Sequence, residues 1–471
     1  MTNEMEVARQ LSWNDLSIYT ARRMKAAVAL ADVAEAIRED ETLGDQCSEF
    51  LHWFDFLVEG DPSVFTSLWS EPYAYHWSRT AGERLQEWRA GECRVEPLIA
   101  HLDLIKLFAI GMAIMQGSDI SFVNPFELVA PIAIPGTNIT LECEQPIVIE
   151  SIQSGCLALQ QSNGVILVPS DPKQSFSHPD VTREYCPVIR LDNDATIRLH
   201  PAAIKLPSCE KQNSHHRLPD HSLQHEYSES VEDAVALINQ HLSTAYPQLG
   251  YAAKIIVVKS SADGGVRNSS SSRMPGALQM CGSRCGYQLA EDIIHESFHN
   301  RLYAIEETSD FFHNDRIHST NENRFYSPWR NDPRPLYGVF HAVYVFSRVQ
   351  QFWLNVLRAS CTPEAQREFA AQRCGTLNLQ LVRGLAELEA NAEFTPLGQK
   401  IFSTLKQDIK EMEQEIAALK LSVDLTRLEI DEEGEIVPSN GCLSGVPVSV
   451  QQSIDEHMQL FDQNAKMAGS V

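Results

Sequence analysis

The chain has 471 residues, of which 63 are acidic and 38 are basic, so its formal net charge is −25. Hydrophobic residues make up 43% of the sequence and charged residues 21%, the composition of a folded chain long enough for two or three domains. The acidic excess argues against binding to a nucleic-acid backbone, because binding to phosphates requires a basic surface. It is compatible with a neutral or basic peptide as partner.

Three features of the sequence predict a cytoplasmic protein without a membrane partner. No uninterrupted run of 18 apolar residues is present, so the sequence predicts no spanning helix. The first six residues are polar and acidic, unlike the basic start and apolar centre of a secretory signal. The eleven cysteines are odd in number and scattered along the chain, which does not resemble a disulfide framework.

The first half of the chain predicts helices followed by strands. Residues 1–118 carry apolar side chains at helical spacing, for example in 26–31 and 98–105. In residues 119–208, short β-branched runs such as 146–150 and 164–168 are separated by Pro, Gly and Asn turns, which is typical of a small antiparallel sheet. Residues 209–230 are polar and rich in histidine and predict a solvated linker.

The second half predicts a helical domain that carries the chemistry. Residues 231–425 form this predicted domain, with a strand-like run at 253–258 and a Gly/Ser-rich loop at 263–272. Residues 426–471 predict a polar, irregular C-terminal tail. The predicted fold class is α+β and mainly α: a helical metal-binding domain, with a small antiparallel β module inserted between helical regions.

The segment His295-Glu296-Ser297-Phe298-His299 carries the strongest chemical signal. It lies in a run with helical apolar spacing, so its two histidines share one face of a helix. Both imidazoles can therefore reach one metal ion, and Glu296 can accept a proton from water at that ion. We predict His295 and His299 as metal ligands and Glu296 as a catalytic residue.

A catalytic metal site needs a third protein ligand, and the best candidate is His341. Glu306 is on nearly the same helix face as His295, but its Cα lies ~10 Å beyond His299 along the axis. His341 lies in a second apolar, helix-like run. A buried core histidine without a metal is the alternative interpretation of this residue.

A polar stripe accompanies His341 on the second predicted helix. Tyr337, Tyr344 and Arg348 stand at positions −4, +3 and +7 relative to it and so share its face. We predict Tyr344 as a catalytic residue and Arg348 as a cofactor-binding residue.

The connection between the two predicted helices is rich in proline and arginine. Residues 325–336 contain three prolines, which exclude a regular element and stiffen the chain. Arg330 and Arg334 on this stiff loop are suited to binding a carboxylate through two hydrogen bonds each. Alternatively, either arginine forms an ion pair with Asp332 or another acidic residue, and the sequence supports the two interpretations equally.

Taken together, these residues resemble the HExxH-motif family of peptide-modification proteins, which are associated with ribosomally made, post-translationally modified natural products. The resemblance covers about 120 residues, from 280 to 400, while the first 280 match only loosely. The histidine motif alone is shared with many zinc peptidases, but its combination with the proline-arginine loop is far more specific. The residues that carry the resemblance are 295–299, Leu302, 328–336, Gly338, His341, Tyr344, Phe352, Trp353 and 395–398.

The resemblance implies an iron(II)- and 2-oxoglutarate-dependent enzyme that hydroxylates the β-carbon of a residue in a precursor peptide. It implies His295, His299 and His341 as iron ligands. It also implies that Arg330 or Arg334 holds the 2-oxoglutarate carboxylate. The expected partners are the precursor peptide, 2-oxoglutarate and O2.

Two alternatives remain open from the residues themselves. A zinc metallopeptidase would use Glu296 as general base, and the spacing of the motif fits it well. A structural metal with four protein ligands would instead indicate a scaffold protein. The helical segment 405–421, with interspersed lysines and glutamates, is compatible with a homodimer but is more typical of a solvated face.

Overall fold

The structure is a computed structural model, and the residues that it describes form two compact units. The N-terminal unit consists of the described residues of 16–232 and 248–284. The C-terminal unit consists of the described residues of 233–247 and from 286 onward. The structure describes residues 16–128, 132–143, 147–161, 164–171, 174, 176–179, 181–192, 195–201, 221–259, 268–281, 284, 286–313, 324–329, 334–419, 428–430 and 436–438.

The N-terminal unit begins with a group of helices whose starts follow from local sequence. Asp40 begins one of them, because its carboxylate accepts a hydrogen bond from the Leu43 N–H at 2.9 Å. Asp61 begins another in the same way, with Pro62 in the first helical position, where no N–H is needed. The helices are α1 (Ser17–Arg38), α2 (Glu41–Gln46), α3 (Ser48–Glu59), α4 (Pro62–Trp69), α5 (Pro72–Arg89), α6 (Val95–Leu102) and α7 (Ile105–Gln116).

Within the described residues, nine strands follow, and seven of them form two antiparallel sheets. The strands are β1 (Ile120–Leu128), β2 (Ile132–Ala133), β3 (Ile139–Cys143), β4 (Ile147–Gln153), β5 (Cys156–Gln161), β6 (Gly164–Pro169), β7 (Val181–Tyr185), β8 (Val188–Arg190) and β9 (Thr196–Pro201). One sheet has the order β1-β4-β5-β6, and the other has the order β2-β3-β7. The β4–β5 hairpin turns at Ser154 and Gly155, which both have positive φ, as a tight two-residue turn requires.

The remaining strands belong to a mixed sheet that joins distant parts of the chain. Its order is β11-β12-β10-β9-β8, and β10 runs parallel to both β9 and β12. The additional strands are β10 (Ile255–Lys259), β11 (Ser269–Ser270) and β12 (Ala277–Cys281). The helices between β9 and β10 are α8 (His221–His241), which crosses the unit boundary, and α9 (Leu249–Ala252).

One stretch of the N-terminal unit, Val95–Gln116, is long and apolar enough to span a bilayer by length and composition. In the structure it is divided into α6 and α7, and 67% of its most apolar window is buried inside the protein. Lys106 within it is only 1% exposed and pairs with Glu49 and Asp103, each at 3.1 Å. This degree of burial is typical of the core helices of a soluble protein.

The C-terminal unit is built around four long helices. They are α10 (Gly286–Glu306), α11 (Leu336–Arg358), α12 (Glu364–Asn391) and α13 (Pro396–Ala418). Helix α11 packs against the other three, and its side chains from Leu336 to Leu357 are largely buried. Short antiparallel pairs accompany the helices: β13 (Arg324–Phe325) with β14 (Arg334–Pro335), and β15 (Leu428–Ile430) with β16 (Ile436–Pro438).

The described part of the chain is mainly helical with small antiparallel sheets, so the predicted fold class is confirmed at this level. The strands β1–β9 lie within residues 120–201, inside the range predicted as β-rich. Of the predicted linker 209–230, residues 209–220 lie outside the described residues, and 221–230 belong to α8. Residues 260–267 of the Gly/Ser-rich region and most of the tail 426–471 also lie outside them.

Candidate metal centre

Helices α10 and α11 bring the predicted site residues together. Most of α10 is buried, including the apolar side chains of Leu289, Ile293 and Leu302. The side-chain pairs between the two helices run in opposite order along the chain, so the helices are antiparallel. Along α10, these pairs are Glu291 with Trp353, His295 with Phe346, Phe298 with Tyr344, His299 with His341, and Glu306 with Tyr337.

The two motif histidines face each other one helical turn apart. The Nε2 atoms of His295 and His299 lie 3.2 Å apart, and their ring centroids are 4.9 Å apart at an angle of 71°. Two imidazole nitrogens that bind one tetrahedral ion at 2.0–2.1 Å are separated by about 3.3 Å. The pair therefore fits a divalent metal ion held through both Nε2 atoms.

Burial favours the form of His299 that can bind a metal. The ring is desolvated by its surroundings and lies beside His295, and both effects hold the pKa of His299 well below its ordinary value. A neutral imidazole keeps a lone pair on one ring nitrogen, whereas the protonated ring has none to offer. His299 is thus a neutral potential ligand at physiological pH.

His341 lies beside His299 but approaches its other ring edge. The Nδ1 atoms of the two residues are 3.2 Å apart, and the rings are nearly parallel, with centroids 5.4 Å apart. A histidine that binds a metal through Nε2 usually donates its Nδ1–H to a second residue, which fixes the orientation of the ring. In this arrangement His341 is placed to orient His299, and its ligation of the metal stays a prediction.

Within the described residues, no third ligand joins the histidine pair, in agreement with the position of His341 at the Nδ1 edge of His299. Among these residues, no three His, Cys, Asp or Glu side chains form a group that could hold a metal ion. Glu306 is engaged elsewhere, because the Tyr337 hydroxyl donates to its Oε2 at 2.7 Å. This contact agrees with the sequence analysis, which disfavoured Glu306 as a ligand because it lies too far from His299 along the helix axis.

Glu296 occupies a buried position next to the histidine pair in sequence. Its side chain is 5% exposed, whereas His295 and His299 are partly exposed. On a helix, residue 296 projects about 100° away from residue 295, at the flank of the histidine face. The role of Glu296 in proton transfer stays a prediction.

Tyr344 and Arg348 belong to a buried cluster of charged and polar groups. Arg348 donates to Asp408 Oδ2 at 2.7 Å and to Gln351 Oε1 at 3.2 Å. Burial raises the pKa of Tyr344, while the positive charges of Arg301 and Arg348 and a hydrogen bond from Arg301 act against this. The predicted roles of Tyr344 in catalysis and Arg348 in cofactor binding remain predictions.

The sequence analysis did not single out Arg301, which is 1% exposed in the structure. It follows the motif by two residues, so helical geometry places it on a different face from the histidines. In the sequence it is one of several charged residues of α10, so nothing distinguishes it from the others. The contact between Arg301 and Tyr344 depends on how α10 packs on α11, and the spacing of residues along the sequence does not determine this packing.

A second unforeseen group lies one turn before His295. Glu291 is 8% exposed and accepts a hydrogen bond from Trp353 Nε1 at 2.5 Å. Arg373 on α12 donates to the other carboxylate oxygen from Nη2 at 2.5 Å and from Nε at 3.1 Å. These contacts link α10, α11 and α12 at the end of the site nearest His295.

The proline-arginine loop is only partly described. Arg330 and residues 331–333 lie outside the described residues, so the predicted carboxylate contact of Arg330 is not addressed. Arg334 is half-buried in β14, directly before α11, and pairs with Phe325 of β13. Nearby, the Trp329 ring stacks on Phe346 at 5.0 Å, and Phe346 in turn contacts His295.

Comparison of the chain with models of known protein families gives no match, and no curated protein matches it. The functional assignment therefore depends on the residues of the site and on the resemblance of its motifs.

Proposed function

We propose that the chain is a metal-dependent enzyme that modifies a ribosomally made precursor peptide in the cytoplasm. The observation that carries this proposal is the pair of Nε2 atoms of His295 and His299, 3.2 Å apart on one face of α10. Two imidazole nitrogens at this distance can bind one metal ion, and they fill only two of its coordination positions. The remaining positions are the ones that a catalytic centre needs for reactants.

The activity we propose is Fe(II)- and 2-oxoglutarate-dependent β-hydroxylation of a peptide side chain. His295 and His299 would hold the iron, which would supply the oxidising chemistry. The reaction would consume O2 and 2-oxoglutarate and release succinate and CO2. The resemblance of the motifs to the peptide-modification family supports this choice over other metal chemistry. We propose His341 as the third ligand or, in the arrangement described above, as the residue that orients His299.

Cations for the 2-oxoglutarate carboxylate are available on the elements that flank the site. Arg334 lies directly before α11, and we propose that it or Arg330 binds the distal carboxylate through paired hydrogen bonds. Arg348 is already paired with Asp408, so an incoming carboxylate would have to compete with that residue. Arg334 belongs to the proline-arginine loop that carries the resemblance, which supports it as the candidate.

A zinc metallopeptidase is the second candidate, and one observation favours it. Glu296 is buried within the same helical turn as the two histidines, where a general base for an attacking water is required. In that case Glu296 would take the proton of the water and later deliver it to the leaving amine. Both candidates share the histidine pair and differ in the metal and in the product.

The test is an activity assay on anaerobically purified protein supplied with Fe(II), O2, 2-oxoglutarate and the peptide of a short open reading frame beside the gene. We expect succinate formation and a peptide product heavier by about 16 Da, the mass of one oxygen atom, both dependent on Fe(II). The His295→Ala variant should lose turnover by about 100-fold or more, because one of the two described ligands is gone. His313→Ala, which replaces an exposed histidine of the same unit, is the matched control.

The result that contradicts the hydroxylase is a peptide cleaved with zinc alone and no succinate under any condition. That outcome transfers the assignment to the metallopeptidase. Failure of both reactions, with a metal held by four protein ligands, would instead indicate a structural site.

A further inference from the structure

The N-terminal unit contains a cavity of about 350 Å³ that the proposed function does not use. Its wall is formed by α1, by the corner between α4 and α5, and by the segments that flank β9, β10 and β12. All of the lining residues belong to this unit. The volume lies within the range of about 300–1,000 Å³ typical of sites for small molecules.

Three basic side chains line this cavity. Arg22 and Arg23 belong to α1, and Lys254 directly precedes β10. Arg22 is 5% exposed, and the Lys254 side chain is 19% exposed, so these charges are largely removed from water. The net charge of the whole chain is −25, so these basic residues contrast with its overall composition.

Among the lining residues, Glu71 supplies the only carboxylate. Glu71 is 3% exposed and forms ion pairs with Arg198 and, at 3.4 Å, with Lys254. Its one negative charge is therefore shared between two cations. Arg22 donates to the Ser272 carbonyl at 3.3 Å. Of the residues that line the cavity, three are basic and one is acidic. Burial lowers the pKa of Lys254, and the neighbouring Arg198 and Arg23 lower it further, whereas Glu71 acts against them. An anionic group bound in the cavity would receive charge-assisted hydrogen bonds from these basic side chains.

Aromatic rings hold the arginines in place before any ligand binds. The Arg22 guanidinium lies over the Tyr75 ring at 5.2 Å, and the Arg23 guanidinium lies over the Tyr251 ring at 5.8 Å. Tyr251 also stacks on Tyr19, with ring centroids 5.4 Å apart. A preorganised guanidinium loses little conformational entropy when it binds a carboxylate or a phosphate.

The wall offers further hydrogen-bond donors. Trp69 lines the cavity and is 2% exposed, and its indole Nε1 has no hydrogen-bond partner among the described residues. Ser70 is in the same wall, where its Oγ accepts from Lys254 and donates to the Ser67 carbonyl at 2.6 Å. Buried donors without partners are rare in proteins and usually indicate a bound water, ion or ligand.

From these observations we propose that the cavity is a binding site for a small organic anion that carries a carboxylate or phosphate group. Arg22, Arg23 and Lys254 would bind the anionic group, and the tyrosine rings would contact the rest of the molecule. The site lies within the N-terminal unit and is independent of the histidine pair. The proposal therefore does not rest on the metal-dependent activity.

The test is a calorimetric titration of the full-length protein, prepared without added metal, with inorganic phosphate and separately with succinate. Ionic strength is held constant with chloride, so that non-specific screening does not contribute. We expect saturable binding of at least one of the two anions, and the anion that binds identifies the group recognised. Arg23→Gln should weaken this binding about tenfold or more, the usual effect of losing a charge-assisted hydrogen bond.

Lys25→Gln is the matched control, because it removes one positive charge from the exposed side of the same helix. It should leave the affinity unchanged. Lys254→Gln serves as the second test variant if Arg23→Gln does not fold. Absence of saturable binding by both anions, or equal affinities for Arg23→Gln and Lys25→Gln, would overturn the proposal. Equal affinities would place any observed succinate binding elsewhere in the protein.

Discussion

Replacing both His295 and His299 with alanine abolishes the metal content of the purified protein. Each residue supplies one of the two Nε2 atoms that lie 3.2 Å apart, and no described cluster of His, Cys, Asp or Glu offers the ion a substitute site. Elemental analysis of anaerobically purified protein should give about one ion per chain before the change and none above background after it.

Two controls make this result interpretable. His313→Ala removes an exposed histidine from the same unit and should keep the full metal content. The far-ultraviolet circular dichroism of the double variant should match that of the parent protein, because both side chains are partly exposed and their truncation leaves the core of α10 intact. Full retention of the metal in a folded double variant would refute the assignment of the site.

Replacing Arg198 with methionine destabilises the protein by about 3 kcal/mol or more, the cost of leaving a buried charge without its partner. Arg198 pairs with Glu71, which is 3% exposed, and also donates to the Thr137 carbonyl at 2.6 Å. The methionine side chain fills a similar volume but provides neither the charge nor the donors. Urea denaturation, compared with that of the parent protein, measures the loss.

The exposed ion pair between Arg38 and Asp55 supplies the control for this experiment. Both side chains are about half exposed, so Arg38→Met should cost less than about 1 kcal/mol. The double change Glu71→Leu with Arg198→Met should cost less than the two single changes added together, because it removes both buried charges. Equal effects of Arg198→Met and Arg38→Met would show that the buried network contributes no more than a surface pair.

Much of the site could be predicted because helical geometry is local. A spacing of four residues is sufficient to place His295 and His299 on one face, and the structure shows their rings adjacent. The apolar residues around His295 and His341 likewise indicate that these two segments are buried, and most residues of α10 and α11 are buried. Mutual orientation of the two helices is not local information, so the approach of His341 to the Nδ1 edge of His299 could not be derived from the sequence.

The residues missed by sequence reasoning are those whose partners lie far along the chain. Glu291 meets Arg373, 82 residues away, and Arg22 and Lys254 meet at one cavity from positions 232 residues apart. A lone charge in an apolar helix or strand gives no indication of which distant group will neutralise it. Composition indicates that such charges must find partners, but only tertiary packing identifies them.

The sheets show the same division between local and distant information. Short β-branched runs separated by turns predict an antiparallel module, which contains the hairpins of residues 147–169, and turn residues such as Gly155 fix where the chain reverses. The prediction of an antiparallel module did not foresee that β9 pairs in parallel with β10, beyond α8. Parallel pairing requires a long crossover, so the two strands are far apart in the sequence. The residues of one strand do not specify which distant strand pairs with it.

The most direct measurement is anomalous diffraction at the absorption edge of the metal that copurifies with the protein. We predict one anomalous peak within about 2.0–2.2 Å of the Nε2 atoms of both His295 and His299. A peak located elsewhere, or two rings turned apart with no ion between them, would contradict the account.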